Sequence, residues 1–289
     1  IVSYNTKELL EKCLRSAKAA TKSLKVEIFV VDNDSRDDSA QMVKEKFPEV
    51  NLIANAKNVG FSKANNQAIK KAKGSYVVIL NPDTEVMPDT FKKMKEFMDE
   101  QNNTAMGTCR VEYPNGRLDP ECRRRFPTPW RSFCHFSGLA NVFKGSGIFD
   151  QYHMGDVSPA GAHEIDACMG AFMIVRKSAI DEIGMFDEDF FFYGEDLDWC
   201  FRFKEAGYKI IYTPITKIVH HKGASSGIRR ESEEISKATK ESKKRAFKES
   251  TRAMYLFYKK HYKNKYPFFV TWIMFVGIWL LEKHRMTKA

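Results

Sequence analysis

Four strand-like runs separated by three helical stretches fill the first eighty residues, and that alternation admits few folds. Ile1-Val2-Ser3-Tyr4-Asn5 reads as the tail of a strand whose beginning lies upstream. Asn5 is then an N-cap with Glu8 three residues on, and Leu9, Leu10, Cys13, Leu14 and Ala17 recur at helical spacing. Glu27 to Asp32 is the next strand, Asp38 to Phe47 a helix stopped by Pro48, and Asn51 to Ala54 a short strand. Ser62 caps a helix through Ala72 that Gly74 closes, and Tyr76 to Leu80 completes the series. Strands alternating with helices predict an α/β fold, a mostly parallel central sheet flanked by helices.

Tyr76-Val77-Val78-Ile79-Leu80 breaks abruptly into Asn81-Pro82-Asp83-Thr84. Five strand formers in a row read as a buried strand. Pro82 has no N–H to donate and ends the ladder. Asp83 is left at the carboxyl end of that strand, where open α/β sheets place their ligands. Asp32 ends its own strand in the same way, in Asp32-Asn33-Asp34-Ser35.

Beyond this half, Pro88 starts a helix with Phe91, Met94, Phe97 and Met98 on one face, and Ala105 to Tyr113 is a strand. Residues 114–160 are irregular, carry Arg123-Arg124-Arg125, and read as a lid or acceptor region. The arginine run faces either an acceptor diphosphate or solvent. Ile165 to Arg176 is a long strand or strand pair, Glu195 to Ala206 a helix, and Tyr208 to Thr213 and Lys217 to His221 two further strands.

The net charge of +10 is concentrated in the last quarter of the chain. Residues 222–289 hold 17 Lys/Arg against 6 Asp/Glu, and residues 1–221 hold 30 against 31. A nucleic-acid enzyme would line its main domain with positive charge, so no nucleic-acid partner is expected. Tyr266 to Leu281 is sixteen residues without a charge, set between Lys259, Lys260, Lys263 and Lys265 and Lys283, His284 and Arg285. Spanning a bilayer takes roughly 20 apolar residues. A basic helical tail over 228–289, with segment 266–281 lying on or dipping into a membrane, is the expectation. Six cysteines (Cys13, Cys109, Cys122, Cys134, Cys168, Cys200) form no Cys-x-x-Cys pair, which argues against zinc and for free thiols in a reducing compartment.

Two later segments carry chemistry. Gly194-Glu195-Asp196-Leu197-Asp198-Trp199 sets three acids at a helix start, directly after Phe190-Phe191-Phe192-Tyr193. Acids in a first turn compensate the helix dipole. Aromatics beside carboxylates also reduce solvation and raise a carboxylate pKa, which suits a general base, and an aromatic wall suits a sugar face. Val219-His220-His221-Lys222-Gly223-Ala224-Ser225 ends a strand in two histidines, of which one can face a site, because adjacent strand residues point to opposite faces. That histidine is either a surface group or a metal ligand.

Asp32-Asn33-Asp34-Ser35, Asn58-Val59-Gly60-Phe61, Asn81-Pro82-Asp83-Thr84, Gly194-Glu195-Asp196-Leu197-Asp198-Trp199 and His220-x-x-Gly223-x-Ser225 occur in the order and spacing of family 2 glycosyltransferases. The resemblance is closest to the bacterial rhamnosyltransferase-like branch and covers roughly residues 1–227. It implies a GT-A fold, with residues 1–112 as the nucleotide-sugar-binding half and 113–227 as the acceptor-binding half. It implies inverting transfer of a sugar from a nucleotide-sugar to a hydroxyl of a glycan or lipid-linked acceptor, with Mg2+ or Mn2+. By matching motif, Asp32 would contact the nucleoside with Ser3 near it, and Asn58 and Gly60 would lie beside the nucleotide. Asn81 and Asp83 would sit at the donor diphosphate. Asp83 matches the last acid of the family's metal motif, and His220 the histidine that approaches the metal. Asp196 matches the catalytic base, with Glu195 and Asp198 orienting or capping.

These roles are chemically coherent. A divalent ion stabilises a leaving diphosphate, Mg2+ needs only one or two protein carboxylates, and inversion needs one base. One departure stands out: Asn81 replaces the first acid of the metal motif, a mark of the rhamnosyltransferase-like branch. A dinucleotide oxidoreductase is excluded because Gly145-Ser146-Gly147 lacks the third glycine, and the P-loop pattern is absent. A metal-dependent nucleotidyltransferase and a non-catalytic carbohydrate-binding relative are the alternatives. Cell-surface polysaccharide or glycolipid assembly at the cytoplasmic face of the membrane is the expected setting.

Overall fold

The computed structural model describes residues 1–221 and 240–288. The Gly223 and Ser225 positions of the last motif, and the expected boundary at 227, lie outside these.

Three strands, β1 (Val2–Ser3), β2 (Phe29–Asp32) and β3 (Asn51–Ala54), form a parallel sheet in that order. They alternate with α1 (Lys7–Ala20), α2 (Ser39–Lys46) and α3 (Phe61–Ile69). Leu10, Leu14, Val30, Met42, Val43 and Phe47 close a small core beneath this sheet. The register aligns Ser3, Asp32 and Ala54 at the carboxyl edge.

The chain continues through β4 (Tyr76–Leu80), β5 (Thr84–Val86), α4 (Thr90–Glu100), β6 (Thr104–Glu112), α5 (Pro129–Ser137), α6 (Leu139–Val142), β7 (His163–Glu164), β8 (Phe172–Arg176), α7 (Lys177–Ile183), α8 (Glu195–Glu205) and β9 (Lys209–His220). A second sheet has the order β4-β8-β6-β9-β5, with β7 on β9. Here only β6–β9 is parallel. The parallel arrangement read from the alternation thus holds through β3, and β4 opens a mixed sheet. An apolar run says that a strand is buried, not which way its neighbour runs. In this case Val77, Val78 and Ile79 lie opposite Val175, Ile174 and Met173 of an antiparallel strand.

Local differences have local causes. Asn5 does not cap α1: it sits at φ 54°, its Oδ1 accepts from the Arg36 N–H at 2.7 Å, and Thr6 takes the cap position. Ser62 lies inside α3, where its hydroxyl donates to the Phe190 carbonyl at 2.6 Å. Of Ile165 to Arg176 only the last five residues are a strand. The two expected strands after α8 are one, β9, with a bulge around Pro214 where the pairing jumps from Thr213–Cys109 to Lys217–Arg110.

Two long helices end the chain, α9 (Lys240–His261) and α10 (Phe268–Lys288). They pack on one another, and α9 packs on α8. Phe190 and Phe201 share a core with Ala253, Phe257, Tyr258 and Tyr262 of this segment. His261 Nε2 lies 2.8 Å from the buried Asp198 Oδ1, whose other oxygen accepts from Arg202 at 2.9 Å. Among the described residues no helix is long and apolar enough to cross a membrane.

Candidate active site

The turn from β4 into β5 and the end of β9 build one wall. Thr84 pairs with His220 across the antiparallel β5–β9 ladder, so the residue before Thr84 meets the end of β9. Asp83 Oδ1 lies 3.2 Å from His220 Nε2, and both residues are buried. Burial alone would raise the Asp83 carboxyl; the His220 imidazole outweighs it and holds the group below the ordinary carboxylate range. His221 points the other way, to Glu85 at 2.7 Å, as strand alternation requires.

Behind His220 stands Asp119, fully buried, with its Oδ2 3.5 Å from His220 Nδ1. The imidazole is thus held between two carboxylates. Nothing in the sequence flagged Asp119, which precedes a short 3-10 turn and accepts from the Glu121 N–H.

Asn81 sits beside this wall. Its N–H donates to the Ala171 carbonyl, and its buried side-chain Oδ1 has no hydrogen-bond partner among the described residues. No three His, Cys, Asp or Glu side chains among the described residues are grouped to hold a metal alone. Asp83, His220 and the unsatisfied Asn81 oxygen offer a partial set of oxygen and nitrogen ligands. Such a set suits an ion that takes its remaining ligands from phosphate and water.

The opposite wall is the start of α8. Gly194, at φ 80°, turns the aromatic segment into the helix; a Cβ there would come 3.0 Å from Ala253 of α9. Asp196 Oδ2 accepts from Arg124 Nη2 at 2.6 Å, and its Oδ1 accepts from the Leu197 N–H at 2.7 Å. Arg124 also binds Glu121 and the Cys168 carbonyl. Burial would lower the pKa of Arg124, but Asp196 outweighs it and the guanidinium stays well above its usual value. Glu195 is the less satisfied acid. Its Oε2 is buried without a partner among the described residues, and burial, then the charge of Asp196, push its pKa up to about 8. Asp198 does not reach this wall; it ties α8 to α9.

Both walls face a single cavity of about 470 Å³. Asn81, Asp83, Glu195, Asp196 and His220 all line it, as do Phe192 and Tyr193. Phe190 is instead core, and Phe191 covers α3. The region 114–160 contributes Glu121, Arg124, His135 and Tyr152 to the lining. The arginine run divides: Arg124 enters the cavity, Arg123 meets His163, and Arg125 pairs with Asp156. The far side is formed by α9 and α10, a placement that no motif in the chain indicates.

Four further candidates lie outside that cavity, at the edge of the first sheet. Asp32 is buried; its Oδ2 accepts from the Ser35 N–H, and its Oδ1 has no partner among the described residues. Ser3 is fully buried, with its hydroxyl 3.0 Å from that of Thr6. Asn58 Oδ1 accepts from Asn33 Nδ2 at 2.9 Å and from the Gly60 N–H at 3.0 Å. Gly60, at φ 89°, must be glycine, since a Cβ would stand 2.7 Å from the Phe191 carbonyl. That close approach links the Asn58 loop to the aromatic segment before Asp196.

The family model of glycosyl transferase family 2 matches residues 1–184. The chain belongs to that family. Sequence relatives include the N-acetylglucosaminyl-diphospho-decaprenol L-rhamnosyltransferase of Mycobacterium tuberculosis, 26% identical over 78% of this chain and 76% of the relative. Rhamnosyltransferase WbbL of Escherichia coli is 23% identical over 76% of this chain and 81% of its own. This family 2 enzyme therefore sits in the rhamnosyltransferase-like branch. Among solved structures, a mannosyltransferase from Pyrobaculum calidifontis in complex with GDP-Man and Mn2+ superposes with a TM-score of 0.52 at 18% identity, over 76% of this chain and 55% of that one. TarS of S. aureus superposes with a TM-score of 0.52 at 15% identity, over 91% of this chain and 43% of its own. These likenesses bear on the fold, which is GT-A. The chain spans about half the length of these solved chains. Membership makes the protein a glycosyltransferase and favours neither alternative weighed on the sequence.

Proposed function

We propose that this enzyme transfers a sugar, rhamnose foremost, from a nucleotide-sugar to a hydroxyl of a glycan or lipid-linked acceptor, with inversion, in cell-surface polysaccharide or glycolipid assembly. One observation carries the reading: a single cavity receives Asp83 and His220 from one wall and Asp196 from the other, although the two acids are over a hundred residues apart in sequence. Asp196 takes the proton of the attacking hydroxyl. Arg124 orients it, and Glu195, whose pKa stands at about 8, supplies a neutral carboxyl beside it at neutral pH. Asp83, His220 and Asn81 hold a divalent ion, Mg2+ or Mn2+. Such an ion, when bound, offsets the charge of the departing diphosphate. Asp32, whose Oδ1 awaits a donor, takes the nucleoside, with Ser3 beside it in register and Asn58 and Gly60 shaping the adjoining loop. The names of the rhamnosyltransferase relatives support the sugar, that of a further relative, the dTDP-rhamnosyl transferase RfbF of Shigella flexneri, supports dTDP as its carrier, and the Mn2+ in the complex of the mannosyltransferase supports the ion.

The halves divide near residue 112, and α9 with α10 adds a wall to the acceptor half. The outer face of α10 leaves Phe268, Phe269, Trp272, Ile273, Trp279 and Leu280 exposed, with Lys283 Nζ 5.8 Å from the centroid of the Trp279 ring, and Lys259 and Lys263 are exposed just ahead of that helix. Aromatic and basic side chains together suit the headgroup region, so the enzyme rests on the cytoplasmic face of the membrane. The test of the chemistry is release of nucleoside diphosphate from a panel of nucleotide-sugars with Mn2+ and acceptor. Turnover by wild type, and turnover at least about a hundredfold lower by Asp196→Asn, is expected. Full turnover by a folded Asp196→Asn would refute the assignment of the base.

A further inference from the structure

The cavity contains a second cation that the transfer chemistry does not use. Arg285, near the end of α10, lines the same cavity as Asp83 and Asp196 and is half-buried. Its only hydrogen bond among the described residues runs from Nη1 to the Ser250 hydroxyl of α9, at 3.1 Å. Its Cζ stands 6.0 Å from the centroid of the Phe247 ring, and among the described residues no carboxylate pairs with it. Arg124, the other guanidinium lining this cavity, holds Asp196 at 2.6 Å, so among the described residues Arg285 is the one left without an acid. Burial works against its charge, lowering its pKa. A guanidinium kept partly dry without an anion stabilises whatever anion arrives, and its planar fork matches phosphate oxygens.

The surroundings define the rest of the ligand. On α10 the cavity-lining residues before Arg285 are Met274 and Ile278, and on α9 they include Met254 and Phe257. At a rise of about 1.5 Å per residue, the stripe from Met274 to Arg285 runs about 16 Å, apolar at one end and cationic at the other. A sugar alone needs neither end, and a free phosphate needs only one.

We infer that Arg285 and Ser250 bind the phosphate of a lipid-linked acceptor, a phosphate or diphosphate on an apolar chain, with that chain lying along Ile278 and Met274. This rests on the glycosyltransferase reading and adds to it the acceptor subsite. The arginine run at 123–125 is not that site, because its three members are otherwise engaged. The location also places the lipid next to the helix whose outer face is proposed to meet the membrane.

The test is equilibrium binding to the full chain of farnesyl diphosphate, farnesol and inorganic pyrophosphate, with dTDP plus Mn2+ as a control for the donor site. Wild type should bind farnesyl diphosphate at least about tenfold more tightly than either fragment, since a charged hydrogen bond and apolar burial act together. Arg285→Gln should lose about tenfold for farnesyl diphosphate and nothing for farnesol, whereas Arg285→Lys should keep most of the affinity. Binding of dTDP should be the same in all three proteins. Equal affinity of wild type and Arg285→Gln for farnesyl diphosphate overturns the site. Pyrophosphate binding as tightly as farnesyl diphosphate overturns the lipid class, and a fall in dTDP affinity matching that of farnesyl diphosphate returns Arg285 to the donor. If dTDP binds no variant while farnesyl diphosphate still depends on Arg285, the donor reading fails and the anion site stands.

Discussion

Arg124 donates from Nη2 to Asp196 Oδ2 across 2.6 Å, so the carboxylate assigned as the base enters the cavity already paired. The pair is largely buried, and Arg124 is shared with Glu121. Its orientation is therefore fixed before any acceptor arrives, which is what a positioned base requires.

Two substitutions separate the chemical from the structural part of this pair. Asp196→Asn keeps the shape and should lower turnover by about a hundredfold or more, with dTDP binding unchanged. Arg124→Met leaves Asp196 and Glu121 facing each other without their cation and should cost about 3–5 kcal/mol in a denaturant titration. An unchanged unfolding midpoint would show that the pair is not a buried one.

Glu195 makes stability depend on pH in an unusual direction. Its carboxyl titrates near 4.5 when unfolded and about 8 when folded. Between these values the native state holds a proton that the unfolded chain has lost. Stability is then fully present below the unfolded value and is lost as pH rises through the folded one, with a slope of at most about 1.4 kcal/mol per pH unit. Glu195→Gln should flatten this part of the profile. Melting temperatures collected from pH 4.5 to 8 check it, and a mutant profile parallel to that of wild type refutes the assignment.

At the other wall, Asp83 supplies a carboxylate oxygen 3.2 Å from His220 Nε2 in the cavity. Replacing Asp83 with Ala should abolish the Mn2+ dependence of dTDP affinity, while His220→Ala should weaken it. Removing the metal with chelator should bring wild type down to the level of Asp83→Ala. A metal titration of Asp83→Ala that overlays wild type would remove Asp83 from the metal site.

What could be read from the residues follows from how far apart the interacting groups lie. Asp32 and Asp83 were visible because each follows a strand-forming run, and that information is local. Strand alternation lets one of His220 and His221 face the site, the motif resemblance points to His220, and the ladder with β5 shows that His220 turns inward. Arg124, Asp119 and Arg285 were not assignable in this way. Arg124 meets Asp196 across 72 residues, and a run of three arginines does not say which member turns inward. Asp119 is a single acid with no pattern around it. The tail was legible as charged helix and apolar segment, but a hydrophobic stretch has two faces. The inner one, with Met274 and Ile278, proved to be a wall of the cavity.

The outer face of α10 supports the remaining prediction. Phe268, Trp272 and Trp279 are 86%, 66% and 55% exposed, which is costly in water unless something covers them. Trp and Phe favour the membrane interface, and each nearby lysine adds about 1 kcal/mol over anionic lipid. Deleting residues 259–289 is a poor test, because it also removes cavity walls such as Met274, Ile278 and Arg285. Replacing Phe268, Trp272 and Trp279 together with Ser leaves the inner face intact. This variant should lose at least about tenfold in partitioning to vesicles containing anionic lipid, since three buried aromatics contribute several kcal/mol. Its turnover on a water-soluble acceptor should match wild type. Raising the salt should release wild type only in part, because screening weakens the lysines and not the aromatic rings. Vesicle binding by the triple variant equal to that of wild type would show that α10 does not meet the bilayer.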